Sequence, residues 1–102
     1  MFCVVYQWKV KPGNEDLFRQ TWRDITEAIF AQHGSLGSRL HKADDGTWVA
    51  YAQWPDEKSW SDVDKTVGVD LARAKQAQCL EAEVRVVFKL MVTDDLLKNV
   101  SS

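Results

Sequence analysis

Trp48-Val49-Ala50-Tyr51-Ala52-Gln53-Trp54-Pro55-Asp56-Glu57-Lys58-Ser59-Trp60 changes character halfway along. Through Trp54 it is aromatic and β-rich, as a strand requires. Pro55 then closes the strand, and Asp56 stands where a side-chain oxygen accepts the free amides of a helix start. Upstream, Ala43-Asp44-Asp45-Gly46 tolerates left-handed backbone angles, so the extended stretch Leu36–Lys42 and the strand from Thr47 to Trp54 form a hairpin. Downstream, Trp60, Val63 and Val67 mark one face of the new helix, Gly68 interrupts it, and residues 70 to 80 resume helical composition as a second short helix.

Residues 2 to 11 alternate as a strand does: Phe2, Val4, Tyr6, Trp8 and Val10 share one face, and Cys3, Val5, Gln7, Lys9 and Lys11 the other. Pro12-Gly13-Asn14 breaks this strand, and Glu15 and Asp16 suit the first turn of a helix. Phe18, Trp22, Ile25 and Ile29 form the apolar stripe of that helix, and Gly34 ends it. Glu83 to Thr93 alternates again, with Val84, Val86, Phe88, Leu90 and Val92 on one face and Arg85, Val87, Lys89 and Met91 opposite. The tail 94–102, carrying Leu96, Leu97 and Val100, is expected either to pack on a partner or to fray.

The order β, α, β, β, α, β predicts an α+β fold, the ferredoxin-like split-βαβ arrangement of an antiparallel sheet with both helices on one face. If the helices cover the face bearing Tyr6, Trp8 and Phe88, the reverse face still holds Cys3, Val5, Val87 and Met91. Such a patch marks an interface, so a homodimer packed sheet to sheet is expected.

The 102 residues fit one domain, 1–102, and no repeat or linker divides them. A net charge of -2 supplies no broad basic field, which argues against nucleic acid or a membrane surface as partner. Cys3 and Cys79 belong to no CxxC pair, so neither a disulfide framework nor a zinc site is expected. The opening Met1–Lys9 has no basic leader, and no apolar run approaches membrane-spanning length, so a cytoplasmic protein is expected. Five tryptophans in so short a chain are the unusual feature: large indoles build cores, and they also wall pockets for flat ligands.

Pro12-Gly13, the segment Gly34-Ser35-Leu36-Gly37-Ser38-Arg39-Leu40 and the stretch Trp48–Trp60 together resemble the antibiotic biosynthesis monooxygenase (ABM) group of dimeric α+β barrel proteins, over residues 2 to about 67. The resemblance implies a ferredoxin-like subunit dimerising into an α+β barrel, with a pocket between sheet and helices. In some members it also implies oxygenation of polycyclic phenols without metal or flavin, so no cofactor is expected. Members commonly carry a Glu two residues after the Tyr of the third strand and a His on the second helix; this chain has Gln53 and Val63 there. The haem-degrading members use an Asn on the first strand and a Trp and a His on the second helix. Those places hold Tyr6, Val63 and Arg73, which leaves no imidazole for iron on that helix.

Other chemistries find little support. His33 sits at a helix end, where a cation suits the dipole, and His41 shares a strand face with Arg39; two isolated histidines make a poor metal site. Asp44-Asp45 is explained by its turn, and Asp62 and Asp64 are helix-surface positions pointing apart. No phosphate loop or nucleophile elbow is present, and the aromatic, basic run of an RNA-recognition strand is missing. Two readings remain. One is a cofactor-independent monooxygenase acting on a flat phenolic molecule, with Tyr6, Trp22, Trp60, Val63 and Arg73 as substrate-binding residues. The other is a stress-related or ligand-binding dimer in which the same pocket holds an aromatic molecule without turnover.

Overall fold

The computed structural model describes residues 1–98. Four strands, β1 (Phe2–Trp8), β2 (Gly37–Lys42), β3 (Trp48–Trp54) and β4 (Arg85–Met91), form one antiparallel sheet in the order β2-β3-β1-β4. The helix α1 (Glu15–His33) joins β1 to β2; α2 (Glu57–Ser61), a 3₁₀ turn (Val63–Lys65) and α3 (Asp70–Gln78) join β3 to β4. This is the expected ferredoxin-like α+β arrangement.

The local signals act as their chemistry requires. Asp56 extends its carboxylate over the start of α2 and accepts from the amide and hydroxyl of Ser59 at 2.8 and 2.9 Å. Asp45 closes the β2–β3 turn by accepting from the Thr47 amide and hydroxyl at 2.9 and 2.7 Å. Gly34 ends α1 at φ 70, a left-handed position that a side chain would disfavour.

Cross-strand partners point to the same side of a sheet, so the register sorts the residues into two faces. Phe2 pairs with Trp54, Val4 with Ala52, Tyr6 with Ala50 and Trp8 with Trp48, and this is the inner face, under the helices. It carries two buried clusters. Trp8, Trp48, Ala50 and Cys79 pack around Phe18 of α1, and Phe2, Val4, Ala52 and Trp54 pack near Ile29, Trp60 and Val63. Tyr6 touches both.

Three expectations are corrected. The alternation of residues 83 to 93 placed Phe88 on the inner face and Met91 on the reverse one. A β-bulge reverses this: Tyr6 pairs with Val86 but Val5 with Phe88, so Val87 is an extra residue and the strand beyond it changes face. Phe88 and Leu90 therefore stand on the outer face with Val5 and Cys3, while Met91 and Lys89 are inward; Lys89 Nζ lies 5.4 Å from the Trp60 ring. Second, the helix after Asp56 stops at Ser61 and tightens into the 3₁₀ turn, which leaves Val67 75% exposed and off the apolar face. Third, β1 ends at Trp8, and Val10 makes only an isolated bridge to Leu80.

The tail crosses to the outer face, where Asp94–Leu97 share a shallow groove with Met1, Tyr51 and Gln53. Leu96 is almost fully exposed there and Leu97 largely so, and the expectation for Val100 lies outside the described residues.

Candidate functional site

The inner face is bulky at both ends and thin in the middle. Between Trp8 and Trp48 at one end and Phe2 and Trp54 at the other, β3 contributes only Ala50 and Ala52, while β1 contributes Val4 and Tyr6 and β2 Ser38 and Leu40. Helix α1 spans this dip, and a cavity of about 200 Å³ remains beneath it. Ala50, Ala52 and Ser38 floor it; Trp22, Ile25, Thr26 and Ile29 of α1 roof it; Val63 and Asp64 of the 3₁₀ turn, with Arg73 and Gln76 of α3, form the open wall. Tyr6, Trp8 and Trp54 of the sheet also line it.

Of the five residues singled out from sequence, Tyr6, Trp22, Val63 and Arg73 line this cavity. Trp60 does not line it but acts on it, donating its indole N–H to the Tyr6 hydroxyl at 2.6 Å. That bond commits the Trp60 indole N–H within the protein. It also orients Tyr6: one oxygen lone pair is occupied, and among the described contacts the phenolic proton has no acceptor, so it is available to a ligand. Burial pushes the Tyr6 pKa up, the Trp60 hydrogen bond offsets part of the rise, and the phenol stays a neutral donor.

Arg73 is held at the cavity wall by a 3.0 Å hydrogen bond from Nη2 to the Val63 carbonyl and by a looser 3.9 Å contact with Asp64. The 3₁₀ turn is itself tied to the end of α1. The Gln32 amide group brackets the Val67 backbone with two 2.9 Å bonds, and the Thr66 hydroxyl, which donates to Val63 O, receives the Nε2–H of His33 at 2.9 Å. His33 is thus a structural fastener. His41 sits on the outer face, bonded through Nδ1 to its neighbour's carbonyl, Val49 O, at 3.0 Å. Gln53 also lies on the outer face, paired with Cys3, and does not line the cavity.

The indole nitrogens of Trp8 and Trp54 are buried without a partner among the described residues. Each such group costs roughly 1–3 kcal/mol. Neither is open to the cavity, so neither serves a ligand as a donor. The sequence reading missed Ala50, Ala52, Ser38 and the α1 residues Ile25 and Ile29 as cavity walls. The small-residue positions on a strand otherwise closed by tryptophans were the signal available. Among the described residues no group of three His, Cys, Asp or Glu side chains is placed to hold a metal, and no helix is long and apolar enough to cross a membrane.

A four-stranded antiparallel sheet hollowed under one helix, with one phenol and one guanidinium at the hollow, defines a small α+β protein with a cavity open on one side. The chain belongs to the antibiotic biosynthesis monooxygenase family, whose model matches residues 1–75. Among solved structures it is similar to Rv0793 from Mycobacterium tuberculosis, at 16% identity over 94% of this chain and 98% of that one, with a TM-score of 0.76. It is also similar to a mutant form of SnoaB, a cofactor-independent oxygenase from Streptomyces nogalater, at 15% identity over 95% and 97% of the two chains, with a TM-score of 0.74. An antibiotic biosynthesis monooxygenase at 20% identity, covering 92% of this chain and 100% of that one, gives 0.74. No curated protein matches the chain.

Proposed function

We propose that this protein is a cofactor-independent monooxygenase that binds a flat phenolic molecule in the cavity under α1 and lets the bound anion react directly with O₂. Membership of the monooxygenase family supports the reaction class, and the similarity to SnoaB supports the absence of a cofactor. The observation that carries the reading is the Tyr6 hydroxyl, fixed by Trp60 and with its proton uncommitted, in a mostly apolar cavity with one polar wall.

The chemistry asks for positioning and charge stabilisation. The Arg73 guanidinium at the wall favours the phenolate over the phenol, and the Tyr6 O–H hydrogen-bonds the oxygen on which charge develops. The electron-rich ring carbon para to that oxygen reduces O₂ and forms a C–O bond, giving a ring hydroperoxide. Loss of the carbon's proton cleaves the O–O bond and expels hydroxide as water. For 1-naphthol the balance is naphthol plus O₂ to 1,4-naphthoquinone plus water, a four-electron oxidation matched by four-electron reduction of O₂. Closing the site to water protects the peroxide and strengthens both polar contacts.

The outer face is proposed as the homodimer interface. Val5, Phe88 and Leu90 share it, and Phe88 is 59% exposed in the single subunit, an apolar surface that a second copy packed sheet to sheet would cover.

Oxygen-electrode measurements with 1-naphthol and related quinols test the reading: metal-free, flavin-free protein should consume O₂, with a sharp fall in Tyr6→Phe and in Arg73→Ala. Unchanged uptake in both variants removes the site assignment. One observation favours the second reading, a ligand-binding dimer without turnover. Val63 occupies the cavity wall where the family resemblance places a His, so no imidazole base stands there. Saturable quenching of tryptophan fluorescence without O₂ uptake would establish that reading instead.

A further inference from the structure

The cavity under α1 is small and has one polar wall, and both features bear on which phenols it takes. A volume of about 200 Å³ is on the scale of a ligand of one or two rings rather than of a larger polycycle. An engineered cavity of about 150 Å³ accommodates benzene, whereas drug-sized ligands occupy sites of roughly 300–1,000 Å³. The floor agrees. Ala50 and Ala52 are successive same-face positions about 7 Å apart, so on β3 only two methyl-bearing positions separate the tryptophans at 48 and 54. Ionic and amide groups come from one side only, since Asp64, Arg73 and Gln76 all belong to the wall made by the 3₁₀ turn and α3.

We propose, resting on the reading of the site as a phenol pocket, that it selects substrates of one or two fused rings bearing their hydroxyl on the edge toward Arg73, and discriminates against three-ring anthrones. Ala50 and Ala52 are the specificity-determining residues. A methyl group at each is what leaves the hollow, and any larger side chain there would project into the volume the ring occupies.

The test is tryptophan-fluorescence titration of the intact protein with 1-naphthol and with anthrone under argon, which separates binding from turnover. The expected result is saturation by 1-naphthol at a concentration at least tenfold lower than by anthrone. Ala52→Val and Ala52→Leu should weaken 1-naphthol progressively while the far-ultraviolet circular dichroism stays that of the parent. Trp22→Ala, which lifts part of the roof, should narrow the gap between the two ligands. Anthrone binding as tightly as 1-naphthol to the parent protein overturns the size limit while leaving the oxygenase reading intact. Binding of neither overturns both. Preferential binding of 1-naphthol without O₂ uptake in air upholds the size limit and overturns only the oxygenase.

Discussion

The two faces of the sheet use the same alternation to different ends. On the inner face large and small residues are segregated: tryptophans and Phe2 stand at the ends of β1 and β3, with Ala50 and Ala52 between them. On the outer face large and medium-sized apolar residues alternate without a gap, with Val5, Val49, Tyr51, Phe88 and Leu90 across three strands. Segregation leaves a hollow once a helix bridges the high ends. Even spacing leaves a flat apolar surface, which a ligand cannot enter but a second sheet can cover. A strand can thus build a pocket and an interface at once, because successive side chains leave on opposite sides.

Breaking the inner face should cost the most. Phe18 is completely buried, its ring 5.4 Å from that of Trp8 and 5.5 Å from that of Trp48, and it anchors α1 over the high end of the sheet. Phe18→Ala should reduce stability by roughly 3–5 kcal/mol, read from the urea midpoint. A loss below about 1 kcal/mol would mean that the cluster does not hold the roof in place. The outer face should respond differently. Phe88→Asp introduces a charge where the single subunit already meets solvent, so the subunit should keep its circular dichroism while association weakens by more than about tenfold, or about 1.4 kcal/mol. Sedimentation velocity at micromolar concentration reads this. Parent protein that sediments as a monomer would refute the interface.

Tyr6→Phe sharpens the comparison from within the cavity. It removes the acceptor of the Trp60 N–H and leaves that donor unpaired, for a stability loss of roughly 1 kcal/mol. The loss in O₂ uptake should be out of proportion to it. Equal, small losses in both would make Tyr6 a core residue only.

Much of this was legible in the residues. The cap at Asp56, the Asp45 turn and the glycine ending α1 are local chemistry, and their positions followed from residue type. Tyr6, Trp22, Val63 and Arg73 were singled out by alternation, helical stripe and family resemblance separately, and they border one cavity from different sides. What escaped was non-local. The bulge at Val87 is invisible in a sequence that alternates evenly through it, and it exchanged Phe88 for Met91 on the outer face. The alanine floor becomes a floor only when register sets it between Trp48 and Trp54 under α1. The Tyr6–Trp60 bond joins residues 54 positions apart, so no local pattern could reveal it.

The smallest effect concerns how the open wall is hung. Asp56 accepts from Ser59 at the start of α2, and those two hydrogen bonds hold its carboxyl below the ordinary aspartate value of 3.8. A folded-state pKa lower than the unfolded one means that the ionised carboxylate favours the fold. The contribution is fully present above the ordinary value and is lost as pH falls through the lower, folded one. Asp45 is lowered in the same direction by Thr47, so a global melting curve would mix two turns of the same sign. The readout must therefore be local. Trp60 belongs to α2, and its indole N–H reports the bond to Tyr6, so its proton resonance should shift toward exchange-broadened values as the pH falls from the ordinary aspartate value to below the lowered one. In Asp56→Asn the cap has no charge to lose, and the resonance should stay nearly constant over that range. If parent and Asp56→Asn behave alike, the acid sensitivity of the wall arises elsewhere, and the cap does not set the position of Trp60 over the cavity.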